Sequence, residues 1–301
     1  MHSISPYSIR ISKKNSRGDK KYLELHKAGL LPKLFDFISC NCSVLKDDNL
    51  KQTYLFSDVT YDDKNNKLYG WFMVGHHGMV TEIVNSDTGV VDYNKQNYHA
   101  ELIKHYFQIS LHADGCDEGI CAFHSSRGNG IKTLFNKLFE EYIELNGLDW
   151  TVTLRALAYE KAFKEWSNAN VKEVVVTKFK GLPDVTDNTN EENGIYGHFE
   201  LPNIKLKPKS KIPFADLFNR DSDGLKAIEM LKPLGEQVKV VAKVRGKRRT
   251  FKIGADPENS VCQIELDVSV DIIDGTPNLE SIHYWTNAII EEFQNSLYPS
   301  S

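Results

Sequence analysis

The sequence contains no long apolar run. Nowhere do about eighteen uncharged apolar residues follow one another, which is the length that a membrane-spanning helix needs. The first residues, MHSISPYSIRISKKNSRG, also lack the apolar core of a secretory signal peptide. Hydrophobic residues still make up 41% of the 301 residues, which is enough for a buried core. These features argue against a membrane protein and predict a globular, cytoplasmic one.

Cysteine is also scarce, and its positions do not follow the pattern of a secreted or zinc-binding domain. The chain has five cysteines, an odd number that argues against a disulfide framework and predicts reduced thiols. Structural zinc sites commonly use cysteines separated by two residues, and neither Cys40–Cys42 nor Cys116–Cys121 has that spacing. We therefore predict no metal site and no cofactor.

The motifs of nucleotide-dependent enzymes are missing as well. The nearest approach is SSRGNGIKT at residues 125–133, between a predicted strand and a predicted helix. A phosphate-binding loop of that kind needs Gly directly before Lys, whereas Ile131 separates Gly130 from Lys132. We predict a tight structural turn here, with nucleotide binding as the weaker alternative, and assign no catalytic residue. Arg127 and Lys132 remain candidates for contacting a phosphate of DNA.

What the sequence does contain is a concentration of positive charge at residues 237–254, QVKVVAKVRGKRRTFKIG. This segment has seven Lys and Arg and no acid, whereas the whole chain has 37 basic and 41 acidic residues. Outside the segment 30 basic residues therefore face 41 acidic ones, so the formal net charge of -4 hides a strong local asymmetry. Such a segment is typical of a surface that meets a polyanion.

Alternation at period two predicts that this basic segment is a β-hairpin with one apolar and one cationic face. The apolar face should carry Val238, Val240, Ala242, Val244, Phe251 and Ile253. A two-stranded ribbon of this kind fits a nucleic-acid groove, so we predict contact with double-stranded DNA. Lysines 207 and 209 of the preceding segment can extend the cationic track. The predicted DNA-binding residues are Lys239, Lys243, Arg245, Lys247, Arg248, Arg249, Lys252, Lys207, Lys209, Arg127 and Lys132.

The remaining patterns predict an α+β protein of two domains. Residues 1–182 should form a β-rich domain, an N-terminal β-meander with packed helices, in which residues 131–146 give the strongest helix signal. Residues 183–193 are acidic, rich in turn formers and poor in apolar side chains, which predicts a linker. Residues 194–301 should form a second α+β domain that contains the basic hairpin and ends in an amphipathic helix.

An alternating acidic segment at residues 261–273 follows the hairpin and leaves other functions open. Glu265, Asp267 and Asp271 should share one strand face, where they could bind Mg²⁺ in a nuclease. The same acids are also positioned to pair with the basic hairpin and stabilise it. A third alternative is a protein-interaction scaffold whose hairpin contacts an acidic partner. We favour a DNA-binding protein that is not an enzyme, because the hairpin cations outnumber these three carboxylates.

The order of these features resembles the RexA-type proteins of phage exclusion, and also Kiwa-type DNA-binding subunits. The resemblance covers most of the chain in layout, and its local anchors are KVVAKVRGKRRTFKI and the QIELDVSVDIIDG that follows. It implies a bacterial cytoplasmic DNA-binding sensor in antiviral defence, acting by abortive infection. It further implies a homodimer that works with a separately encoded effector, which can be a membrane protein. Neither anchor assigns a role to an individual residue, so the predicted site rests on charge placement.

Overall fold

The computed structural model describes residues 2–14, 21–112, 115–126, 129–157, 169–179, 201–218, 221–235, 237–244, 247–252 and 263–297. The chain is divided into two compact units. The first unit comprises Met1–His2, Tyr7–Arg155 and Val268–Asn287, and the second comprises Ser3–Pro6, Ala156–Asp267 and Ala288–Ser301. Within the described ranges, no helix is both long and apolar enough to span a membrane.

The first unit is built on an antiparallel meander. Its strands are rich in β-branched and aromatic residues and are separated by tight turns, such as the one in which Asn66 takes a φ of 52°. The order across the sheet is β1, β8, β7, β4, β3 and β2, with β10 beside β1 and β9 beside β8. The bounds are β1 His2–Lys13, β2 Leu45–Asp47, β3 Gln52–Asp62, β4 Lys67–His76, β5 Thr81–Val84, β6 Val91–Lys95, β7 Glu101–Leu111, β8 Gly119–Ser126, β9 Asn129–Gly130 and β10 Trp150–Ala156; β5 and β6 form a separate hairpin.

Three helices of the first unit are α1 (Leu25–Ala28), α2 (Leu30–Cys40) and α3 (Lys132–Leu145). The last two carry apolar residues at helical spacing, and their buried faces meet the aromatic side chains of the meander. Phe135 of α3 and Phe37 of α2 are each 1% exposed, with ring centroids 5.8 Å apart. The core of this unit is therefore largely aromatic.

A polar network also lies within the first unit, around the first turns of α5 (Leu279–Leu297). The side-chain amide of Asn287 donates to Nε2 of His283 at 2.8 Å, and Nδ1–H of the neutral ring donates to the hydroxyl oxygen of Tyr106 at 2.8 Å. The Tyr106 hydroxyl donates to Oε1 of Gln108 at 2.7 Å, and Nε2 of Gln108 donates to Oδ1 of Asn287 at 2.7 Å. This closed ring of hydrogen bonds is complete only while His283 is uncharged.

The His283 network predicts that the protein loses stability in mild acid. Burial, with a smaller contribution from Lys67, lowers the pKa of His283 to about 4, below the unfolded value of about 6.5. Because folding favours the neutral ring, its contribution is complete above pH 6.5 or so and is lost as the pH falls toward 4. We expect His283→Gln to be less stable than the wild type at pH 7 and to have a shallower loss between pH 7 and pH 4.

Urea unfolding of the two proteins at several pH values measures this difference. The variant should still lose some stability between pH 7 and pH 4, because two other histidines also favour the neutral form. Burial lowers the pKa of His105, and it lowers that of His124 to about 3. Identical pH dependence in wild type and variant would contradict the role of His283.

The second unit contains a second antiparallel arrangement, in the order β12, β11, β13, β14, β15 and the start of β1. β13 pairs along most of its length with β11 on one side and with β14 on the other. Val176 lies opposite Val238, and Val240 lies opposite Phe251. The helix α4 begins after Ser222, whose hydroxyl accepts a hydrogen bond from the Leu225 N–H and so caps the helix. The bounds are β11 Val171–Phe179, β12 Leu201–Leu206, α4 Asp223–Leu231, β13 Gln237–Val244, β14 Lys247–Lys252 and β15 Gln263–Glu265, with 3-10 helices at Phe214–Phe218 and Lys232–Leu234.

The α+β class predicted from the sequence is confirmed. The two compact units do not follow the predicted division, because β11 pairs with β12 and β13 and therefore belongs to the second unit. Residues 268–287, which include the short pair β16 (Ile272–Ile273) and β17 (Thr276–Pro277), belong to the first unit. The predicted linker at 183–193 lies outside the described residues.

Candidate nucleic-acid interface

The basic hairpin forms as predicted, but Lys239 is not on an exposed face. The strands β13 and β14 pair in antiparallel register, with Lys239 opposite Lys252 and Lys243 opposite Arg248. Lys239 is only 4% exposed, and its ammonium forms an ion pair with the carboxylate of Glu265. The adjacent residue Val240, whose side chain points to the opposite face, is 0% exposed, so both faces of the strand are covered at this point. The prediction that Lys239 contacts DNA from a solvent face is therefore wrong.

The exposed cations lie toward the tip of the hairpin. Lys243 is the last residue of β13 whose side chain is described, and it is exposed. Beyond it the chain turns back into β14, which begins at Lys247 and brings the backbones of Arg248 and Arg249 opposite Lys243 and Ala242. Arg245 lies outside the described residues.

A second cationic segment reaches the same end of the second unit. After β12 the chain carries Lys207, Lys209 and Lys211, all exposed. The segment then runs beside the start of β11, where the Val171 N–H donates to the carbonyl of Ile212 at 2.9 Å. Val171 in turn lies opposite Ala242 of β13. At this end the order across the sheet is therefore the lysine segment, β11, β13 and β14.

We call this surface the cationic end; it is defined by Lys207, Lys209, Lys211, Lys243 and the adjoining part of the hairpin, where β13 ends at Val244 and β14 begins at Lys247. Within the described part of the chain, none of these four lysines forms an ion pair. Three strand spacings separate the lysine segment from β14, which is roughly 15 Å at the usual spacing. That width is close to the roughly 12 Å of a DNA major groove. The arrangement presents unpaired positive charge over a span suited to a duplex.

The acidic segment does not form the strand that the sequence predicts. The strand β15 ends at Glu265, and Val268, which should lie on the apolar face, is fully exposed. Glu265, Asp267 and Asp271 therefore do not share a strand face, and that prediction is wrong. In the described ranges no three His, Cys, Asp or Glu side chains group in a way that suits a metal ion. The predicted pairing of this segment with the hairpin is confirmed by the contacts of β15 with β14 and of Glu265 with Lys239.

Two of the predicted DNA-binding residues, Arg127 and Lys132, belong to the glycine-rich turn and the start of α3. Lys132 is the first residue of α3, in the first unit, and its ammonium lies 5.5 Å from the ring centroid of Tyr7. This cation–π contact gives Lys132 a structural role. Arg127 lies outside the described residues.

Comparison with known proteins adds no family assignment. No protein-family model matches the chain, and a search of curated proteins finds no match to it.

Proposed function

We propose that this protein binds double-stranded DNA, largely without regard to sequence, through the cationic end of its second unit. The observation that supports the proposal is that the exposed Lys207–Lys211 segment lies at the same end of the sheet as the end of β13 and the start of β14. Ammonium and guanidinium groups attract phosphates irrespective of base sequence, and they release condensed counterions when they bind. No catalytic step is part of the proposal.

The proposal predicts a strong salt dependence. The cationic end has enough charge to neutralise about four to six phosphates, which gives a slope of log K against log salt of roughly -4 to -5. Replacing Lys207, Lys209 and Lys211 together by Glu should weaken binding to all duplexes alike and reduce the magnitude of the slope by about 2–3. Fluorescence anisotropy with two duplexes of unrelated sequence, across a salt series, measures both quantities.

A matched control has the same change in net charge elsewhere. Lys46, Lys51 and Lys64 are exposed lysines of the first unit, and their triple Glu variant should retain the wild-type slope. The variant Arg245→Glu, Arg248→Glu, Arg249→Glu tests the hairpin tip, where each Arg can hold a phosphate with two hydrogen bonds. If the control lost as much affinity for DNA as the triple Glu variant of Lys207, Lys209 and Lys211, the loss would reflect total charge only. That result would refute the assigned surface.

The biological setting of the proposal comes from the resemblance to phage-exclusion proteins. We propose a cytoplasmic sensor in antiviral defence that acts as a homodimer with a separately encoded effector. Light scattering of the purified chain tests the dimer. A phage challenge of cells that carry wild-type protein or the triple Lys→Glu variant tests whether DNA binding is needed for protection, and equal protection by both would separate defence from DNA binding.

A further inference from the structure

The first unit contains a cavity of about 860 Å³ at one end of its sheet. The end of β4, the start of β7 and the turn that leads into α3 form its walls. Met73, Leu102 and Leu134 give it apolar surface, and Lys95, Lys104 and Gln52 give it polar groups. This volume is in the range of pockets that hold small organic ligands.

Lys95 is the unusual residue of this cavity. It is only 8% exposed, and its one polar contact in the described structure is a weak one, with Nζ 3.4 Å from the carbonyl oxygen of His76. The cavity is also lined by Glu101 and Asp274, but neither forms an ion pair with Lys95 in the described ranges. A buried ammonium is costly unless an anion accompanies it, so Lys95 lacks the partner that its burial demands.

The start of α3 adds backbone donors at the same cavity. Gly130, Ile131 and Leu134 line it, and α3 has neither a side-chain cap nor an acidic residue in its first turn. The free N–H groups and the helix dipole at such an end attract anions. An anion there would meet the helix end and the Lys95 ammonium in one cavity.

A third polar feature points to more than a simple anion. Gln52 lines the cavity, and its side-chain Oε1 is buried without a hydrogen-bond partner in the described structure. An unsatisfied buried acceptor suits a donor on an organic ligand, such as an amino group or a sugar hydroxyl. The cavity is also much larger than one phosphate ion, and its apolar walls suit a ring.

We propose that this cavity binds a phosphorylated small molecule of nucleotide size, with its phosphate held by Lys95 and the first turn of α3. All of these residues belong to the first unit, so the proposal is independent of DNA binding by the second. It gives residues 129–134 a role in anion binding without the sequence of a phosphate-binding loop.

The test uses the full chain with sodium phosphate, AMP and adenosine as probes at constant ionic strength. Thermal unfolding and calorimetry should show saturable binding of AMP, weaker binding of phosphate and none of adenosine. Lys95→Met keeps the apolar stem and removes the charge, so it should weaken AMP binding at least tenfold. The same variant should raise the Tm of the ligand-free protein, because an unpaired buried charge has been removed.

Two further variants make the outcome decisive. Lys46→Met is the matched control, an exposed lysine away from the cavity, and should bind AMP like the wild type. Gln52→Leu should weaken AMP binding more than phosphate binding, and it serves as the test if Lys95→Met fails to fold. Equal AMP affinity in wild type and Lys95→Met would overturn the proposal. So would phosphate binding with no gain from the nucleoside, or no binding of either probe by the wild type.

Discussion

Glu265→Ala should lower the free energy of unfolding of the second unit by about 3–5 kcal/mol, the usual range for removing one member of a buried ion pair. Lys239 lies on β13, between β11 and β14, and its side chain is 5% exposed against 27% for that of Glu265. The variant removes the Glu265 carboxylate that accompanies this buried ammonium. Urea unfolding followed by circular dichroism measures the change in midpoint.

Two comparison variants distinguish the cost of leaving a charge buried from the cost of losing an ion pair. The double variant Lys239→Met, Glu265→Leu removes both charges and keeps apolar volume, so it should be more stable than Glu265→Ala alone. Lys226 forms an exposed ion pair with Asp223 in the same unit, and Lys226→Ala should change stability by less than about 1 kcal/mol. A Glu265→Ala midpoint equal to that of Lys226→Ala would contradict the importance of the buried pair.

The second large effect is expected in the first unit, where Phe135→Ala should lower stability by about 3–5 kcal/mol. Phe135 is 1% exposed, and its ring centroid lies within 6.3 Å of five other aromatic rings. Truncation removes these contacts and leaves a cavity that close-packed neighbours fill only in part. Thermal and urea unfolding both report the loss.

Leu145 provides the matched control on the same helix. It is 88% exposed, so Leu145→Ala should change stability by less than about 0.5 kcal/mol. Phe135→Leu, which retains much of the buried volume, should fall between the two. A Phe135→Ala protein as stable as Leu145→Ala would mean that this aromatic cluster does not hold the first unit together.

The stability measurements also distinguish a loss of DNA binding from a loss of folding. Lys207, Lys209 and Lys211 are exposed, so their replacement should leave the fold intact. Lys239 is buried and paired with Glu265, so we expect its replacement to affect the proposed DNA binding only through loss of folding. The DNA affinities of variants at the cationic end must therefore be compared under conditions in which each variant is folded to the same extent. Urea unfolding measures that extent.

Local patterns in the sequence were sufficient to predict several elements. Residues 131–146 were predicted as a helix and form α3 at Lys132–Leu145, while residues 237–254 were predicted as a β-hairpin and contain the antiparallel pair of β13 and β14. These predictions hold because helical or extended periodicity is a property of neighbouring residues. The positive charge of residues 237–254 is likewise fixed by composition alone.

Only the tertiary structure decided which positions are covered. Period-two alternation assumes one solvent face, but β13 is buried on both faces, at Lys239 on one and at Val240 on the other. Leu145 shows the reverse case, because it continues the apolar stripe of α3 where nothing covers it. Burial depends on what other segments pack against a residue, and no local period contains that information.

The same reason explains the two candidate sites. The approach of the Lys207–Lys211 segment to the hairpin joins parts of the chain that are distant in sequence, and so does the cavity that Lys95 and the start of α3 both line. Sequence alone determined the kinds of charge available and the elements that carry them. The tertiary structure determined which of the described charges meet an opposite charge, as at Lys239, and which meet only a carbonyl oxygen, as at Lys95.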